Sequence, residues 1–246
     1  MSAAIPDAGP ALRSRIAAEG VGTAFLVATV VGSGIMATSL TDDVALQLLA
    51  NSLITGGVLV ALILTLQPVS AAFNPVVTLV EVLTTGLDRR VAALLVLAQV
   101  AGGCLGAVVA NLMFDLDAVV LSTRERSGGG LWLGEVVATL GLVLVVFGAI
   151  RSGRTATIAY AVAGYIVAAY WFTSSTSFAN PAVTIARTLS DTFAGIAPGS
   201  VPMFVLMQLV GAALAMALLR LLFPPAHPAP EPAAPPARDD LGRTTP

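Results

Sequence analysis

The sequence predicts an all-α membrane protein in which six transmembrane helices and two half-membrane re-entrant helices form an inverted-topology repeat. Three observations lead there. Of 246 residues, 57% are hydrophobic and 11% charged, a balance that soluble domains of this size do not have. Six apolar runs are each long enough to cross a bilayer, which takes roughly 20 mostly apolar residues. Two further segments, too short to cross, begin with the same Asn-Pro dipeptide and occupy matching places in the two halves of the chain.

The spans are expected at about 16–40, 44–66, 91–114, 131–150, 155–173 and 201–223. Between Arg15 and Asp42 the only formal charge is Glu19. No cleavage pattern follows Arg13 and Arg15, and the next apolar run is long enough to span, so it reads as a helix and not as a removed signal. Asp43, the pair Arg89 and Arg90, and Asp115 bound the next two spans; "RSGGG" precedes the fourth and "RSGRT" joins it to the fifth. The sequence divides into an N-terminal tail (1–11), a membrane-spanning unit (12–223, halves about 12–120 and 131–223) and a Pro- and Ala-rich tail (224–246). The last has no periodic apolar face and is expected to be disordered. With the N-terminus cytoplasmic, inside segments hold nine arginines and outside segments only Arg124 and Arg126, so both termini are expected in the cytoplasm of a multi-pass cell-membrane protein.

The short segments are "NPVVTLVEVL" from Asn74 and "NPAVTIARTL" from Asn180, expected as half-helices over 74–84 and 180–189. Asn is a good N-cap and Pro suits the first turn, so each reads as a helix starting at its Asn. Glu19 and Thr23 match Glu135 and Thr139, Asn74 matches Asn180, and "QVAGGCLGA" from Gln99 matches "QLVGAALAM" from Gln208. Each half holds three spans, an odd number, so the second half crosses the membrane in the opposite sense. The half-helices then come from opposite faces and meet near the midplane. Exposed backbone at that depth is tolerated only where it lines a cavity or packs in protein. Gly102, Gly103, Gly106, Gly211 and Ala215 permit close helix approach.

Paired Asn-Pro-Ala-type boxes in a six-span inverted repeat resemble the major intrinsic proteins, the aquaporin and aquaglyceroporin family, over about residues 12–223. The physics points the same way. Two helix N-termini converging on one point carry partial positive charge, which opposes a cation but not a neutral solute. The amides of Asn74 and Asn180 can donate to solute hydroxyls, besides capping their helices. Glu19 and Glu135 are intramembrane carboxylates, ion or proton carriers in a transporter reading. The resemblance implies structural support instead, with both accepting hydrogen bonds from the backbone leading into each half-helix. It also implies a homotetramer with one pore per subunit.

Departures from the family pattern bear on selectivity. The first box has Val76 where the second has Ala182, and the inner vestibule has Ala72 where the family usually has a pore-lining His. Directly after the second box, where most members place the filter arginine, stands Val183. Counting from the boxes puts the other filter positions at Ile54, Ala168 and Ser177, none aromatic or basic, which implies a wide, arginine-less constriction. On an ideal helix Arg187 shares a face with Asn180 and Val183, about 6 Å further along by the helical rise. It either moves the filter's charge to the pore mouth, or caps the helix end or pairs with Asp191. Its repeat-related position is Glu81, which a solvated surface role would also explain. The "NPV" box, "NPAVTIART" and the missing filter arginine resemble the bacterial branch linked to arsenic resistance.

The expected function is a passive channel for small uncharged solutes: water, polyols such as glycerol, urea, or undissociated metalloid acids such as arsenite. An ion-coupled secondary transporter and a non-conducting membrane protein are the alternatives. No catalytic residues, metal site or cofactor are expected: Cys104 lies in an apolar run, His227 in the tail, and no phosphate loop occurs. A net charge of −2 gives no reason to expect nucleic acid as a partner.

Overall fold

A computed structural model describes residues 9–224. Among them eight α-helices follow one another: α1 (Leu12–Leu40), α2 (Val44–Leu66), α3 (Pro75–Thr85), α4 (Arg89–Met113), α5 (Gly129–Arg151), α6 (Ile158–Phe172), α7 (Pro181–Ala186) and α8 (Val201–Leu222). Six segments, α6 taken with the 3-10 turn before it and α8 with the one before it, are long and apolar enough to cross a membrane; α3 and α7 are the expected short helices. The expected disorder of the Pro-rich tail concerns residues that lie, apart from Pro224, outside those described, as does most of the N-terminal tail.

Local chemistry sets the helix ends. The Asp43 carboxylate accepts from the amides of Ala45 and Leu46, and that of Asp88 from Arg90 and Val91, satisfying N–H groups with no partner inside the helix. Asn74 and Asn180 cap α3 and α7, each with Pro in the first turn. α3 stops at Gly86, whose φ of 76° is the left-handed conformation that glycine supplies cheaply. α7 has no such stop signal. After six residues it tightens into a 3-10 turn, Arg187–Leu189, shorter than the half-helix expected over 180–189.

The long helices pair as the repeat requires. α1 packs on α4, α5 on α8 and α2 on α6, with α3 and α7 between them. A Cβ on Gly102 would lie 2.1 Å from the carbonyl oxygen of Gly20, and one on Gly106 2.2 Å from that of Ala24. In the other half a Cβ on Gly211 would lie 2.5 Å from the Val136 oxygen. Small residues thus bring backbones together where apolar surface alone gives lipid-solvated helices little reason to associate. Large side chains such as Leu97, Leu105, Leu133 and Phe172 face outward, as a lipid-facing surface demands.

Candidate functional site: a passage past two crossed asparagines

Two non-helical legs, 67–74 and 173–180, bring the chain back to the centre. Their backbone polar groups have no ladder to join and must find other partners. Buried carboxylates supply them. Glu19 accepts from Ala72 N (2.9 Å), Phe73 N (2.7 Å) and Ser70 Oγ (2.6 Å); Glu135 accepts from Phe178 N and Ala179 N, both at 2.9 Å. Gln99 Nε2 donates to Glu19 and to Thr78 Oγ1, and Gln208 Nε2 to Glu135 and to Thr184 Oγ1, so each carboxylate is tied to the half-helix beside it.

These anchors fix the crossing. Phe73 and Ala179 each sit at φ 47°, a left-handed conformation uncommon outside glycine. The carboxylate holds the N–H of each, and the carbonyl of each turns to the opposite half. Asn180 Nδ2 donates to Phe73 O (2.7 Å), and Asn74 Nδ2 to Ala179 O (2.8 Å). The Oδ1 atoms accept from Val76 N in one half and from Ala182 N and Val183 N in the other. An amide nitrogen carries two hydrogens, so each Asn keeps one N–H beyond the crossing.

Both asparagines line a narrow cavity of about 90 Å³. One side of its wall is apolar and periodic. Thr55, Leu59 and Ile63 of α2 recur every fourth residue, as do Ile158, Val162, Ile166 and Tyr170 of α6, and Leu26, Val30, Leu142 and Val146 complete it. The other side is the polar edge of the two legs, with Ala71 to Asn74 and Ser177, Phe178 and Asn180. Ser177 Oγ is buried with no hydrogen-bond partner. The Tyr170 hydroxyl lies 3.4 Å from Thr55 Oγ1. Beyond Ala71, Ala72, Ile63, Val77, Val146 and Ile158 the cavity adjoins a wider one of about 500 Å³, also lined by Arg15, Gln67, Ser70 and Glu81. At the opposite end stands Arg187, buried, its guanidinium carbon 3.5 Å from the centre of the Phe178 ring and its Nε donating to Ala194 O.

Several expectations need correction. Ile54 is 47% exposed on the outer face of α2, and Ala168 is exposed on α6; Thr55 and Tyr170 stand in the wall instead. Val76 and Ala182 are fully buried and absent from the wall, which Val77 and Val183 reach. The wall is not free of aromatic or basic groups, since Tyr170, Phe178 and Arg187 all line it. Arg187 does not pair with Asp191, whose carboxylate accepts from Thr123 and Ser122. Asn74, Asn180, Ala72, Ser177, Val183 and Arg187 lie along one cavity, with Glu19 and Glu135 behind its legs. Among the described residues no group of His, Cys, Asp and Glu could hold a metal ion.

Comparison with known proteins gives concordant results. The family model described as "Major intrinsic protein" matches residues 9–176 and again 153–240. The chain is 52% identical over 216 residues to the aquaglyceroporin AqpS of Rhizobium meliloti (strain 1021), covering 87% of this chain and 92% of that one. Its fold resembles the X-ray structure of the aquaglyceroporin from Plasmodium falciparum with a TM-score of 0.71 at 17% identity, over 87% of this chain and 98% of that one.

Proposed function

The chain belongs to the major intrinsic protein family, a family of passive membrane channels for small solutes, and from that premise we propose that it conducts small uncharged polyhydroxy solutes of glycerol's class. The observation that carries this reading is the crossing of Asn74 and Asn180 at a lumen with one polar edge and one apolar wall. A glycerol-like solute has the same two sides. Its hydroxyls exchange water for the free amide N–H groups, Ser177 Oγ and the Tyr170 hydroxyl, and its carbons slide along Leu59, Val162 and Ile166. Undissociated As(OH)3 presents three hydroxyls in a similar volume and falls in the same class, as do water and urea. The bacterial relative is named an aquaglyceroporin, which favours a polyol over water alone.

Arg187 serves in this reading as the filter's cation, held on Phe178 rather than set directly after the second box. Glu19 and Glu135 serve as supports, because their oxygens are already engaged by backbone and glutamine donors. The arginine count supports a topology with both termini in the cytoplasm and the Arg187 mouth on the outer face of the cell membrane. A homotetramer with one passage per subunit completes the proposal; the mass of the detergent-solubilised particle tests it. Proteoliposomes test conduction. Glycerol should enter much faster than into empty vesicles. Rates no faster than empty vesicles for glycerol, urea and arsenite alike would end the reading.

A further inference from the structure

Three arginines gather at the Arg187 mouth, and each donates to one of three consecutive carbonyls. Arg124 Nη1 donates to Phe193 O (2.9 Å), Arg187 Nε to Ala194 O, and Arg126 Nε to Gly195 O (2.9 Å). The backbone there is locked, because a Cβ on Gly195 would lie 2.3 Å from Ser122 Oγ and 2.6 Å from Ser190 O. None of these side-chain bonds goes to a carboxylate. The nearby Asp191 is engaged by Thr123 and Ser122, and Glu135 by the leg backbone and Gln208.

Arg126 is the unexpected member. It belongs to the connection between the two halves and does not line the passage, yet it is only 8% exposed. Its guanidinium carbon is 4.9 Å from the centre of the same Phe178 ring that Arg187 contacts at 3.5 Å, so the two like charges are at most about 8.4 Å apart. Burial, then the charges of Arg187 and Arg124, pull its pKa down to about 9, so it keeps its proton at neutral pH. A buried cation with no direct ion pair is costly, and the more distant Glu135 charge, the ring face and one carbonyl offset only part of that cost. A residue that only pinned the loop would do so more cheaply as a neutral donor.

We propose that the charge barrier of this mouth is built by Arg126 together with Arg187, and that Arg126 is a specificity-determining residue that repels cations without touching the solute. A charge at this range in a low-dielectric wall discriminates by field alone, so it leaves a neutral solute alone and raises the barrier for a cation.

The proposal rests on the reading of the passage as a neutral-solute channel, and the experiment separates the two. Urea and guanidinium are planar, of nearly the same size, and differ in charge. Their permeabilities are measured in proteoliposomes for the wild type, R126Q, R126M, R126K and R187Q. Failure of the wild type to pass urea and glycerol refutes the channel reading. Given wild-type conduction, R126Q and R126M should raise the guanidinium-to-urea ratio by about tenfold, the scale of one partly buried charge at this distance. R126K, which keeps the charge, should stay within about threefold of the wild type. Ratios for R126Q and R126M equal to the wild type, with R187Q raised, would overturn the proposal and leave the barrier to Arg187. So would urea conduction by none of the uncharged Arg126 variants, which would make Arg126 a folding residue.

Discussion

The two halves agree in their supports and disagree at their mouths. Behind each leg a glutamate holds two consecutive backbone amides and a glutamine ties it to a threonine of the half-helix: Glu19, Gln99 and Thr78 in one half, Glu135, Gln208 and Thr184 in the other. Seven residues beyond each asparagine the likeness ends. Glu81 is half-buried beside a vestibule of about 500 Å³ that Arg15 also lines, whereas Arg187 is buried against Phe178 at a cavity of about 90 Å³. On the proposed reading, the duplicated scaffold fixes where the solute passes and the unduplicated ends decide what is admitted. Mutations in the supports should act alike in both halves and on folding; mutations at the mouths should act differently and on selectivity.

The largest effects should come from the supports. Glu19→Gln or Glu135→Gln replaces an acceptor oxygen by an amide NH2 group facing backbone donors and should cost on the order of 3 kcal/mol. The two variants should lose similar amounts in thermal unfolding and in assembled protein. Unequal losses, one variant near the wild type and the other unfolded, would break the symmetry argument. Gly106→Ala and Gly211→Ala test the same symmetry in packing. Each new Cβ would lie 2.2 or 2.5 Å from a backbone oxygen, so the helices must part at a cost of roughly 1–3 kcal/mol. Stable variants with unchanged melting would show that these crossings have slack.

The symmetry also explains what was legible in the sequence. Every residue of the supports repeats at a matching place, so Asn74, Asn180, Glu19, Glu135 and the close-packing glycines stand out against an apolar background. The wall is a different matter, because membership turns on helical phase. One residue rotates a helix by about 100°, which carries the wall from Ile54 to Thr55. The leg before Asn180 holds three left-handed residues, Thr176, Ser177 and Ala179, so counting back from the box does not give the α6 residue that reaches the lumen. A polar face on α2, Asn51, Ser52 and Thr55, and the fourfold spacing from Ile158 to Tyr170 carried that information. The early end of α7 carried none: Ile185 to Leu189 continues the helical pattern, and contacts with the 190–196 segment draw Arg187 into its turn. α3, by contrast, announces its end with Gly86.

At the mouths the comparison predicts unequal effects. Arg187→Met should change the ratio of cation to neutral-solute permeability by about tenfold, what roughly 1.4 kcal/mol of lost repulsion produces. Glu81→Gln, beside a wide space, should shift glycerol flux by no more than about twofold, since a neutral solute in a vestibule of that width does not depend on one wall charge. Vesicle swelling and cation efflux measured on the two variants decide the matter. Equal effects from both would mean that the wide vestibule also selects, and that the two ends differ in shape alone.

A last effect, recognised by its opposite signs in stability and conduction, concerns one hydroxyl at the narrow end. Ser177 Oγ is buried without a partner in the protein, and burying a polar atom unsatisfied costs about 1–3 kcal/mol. A fold optimised for stability would place alanine there. If the hydroxyl instead waits for a passing solute, Ser177→Ala should hold or raise the melting temperature while lowering glycerol flux about twofold to threefold, a fraction of one hydrogen bond in the rate-limiting position. Opposite signs in stability and conduction are the mark of a group kept for transport. A variant that melts lower and conducts as well as the wild type would assign Ser177 to the scaffold, and would move the boundary between support and selectivity one residue nearer the mouth.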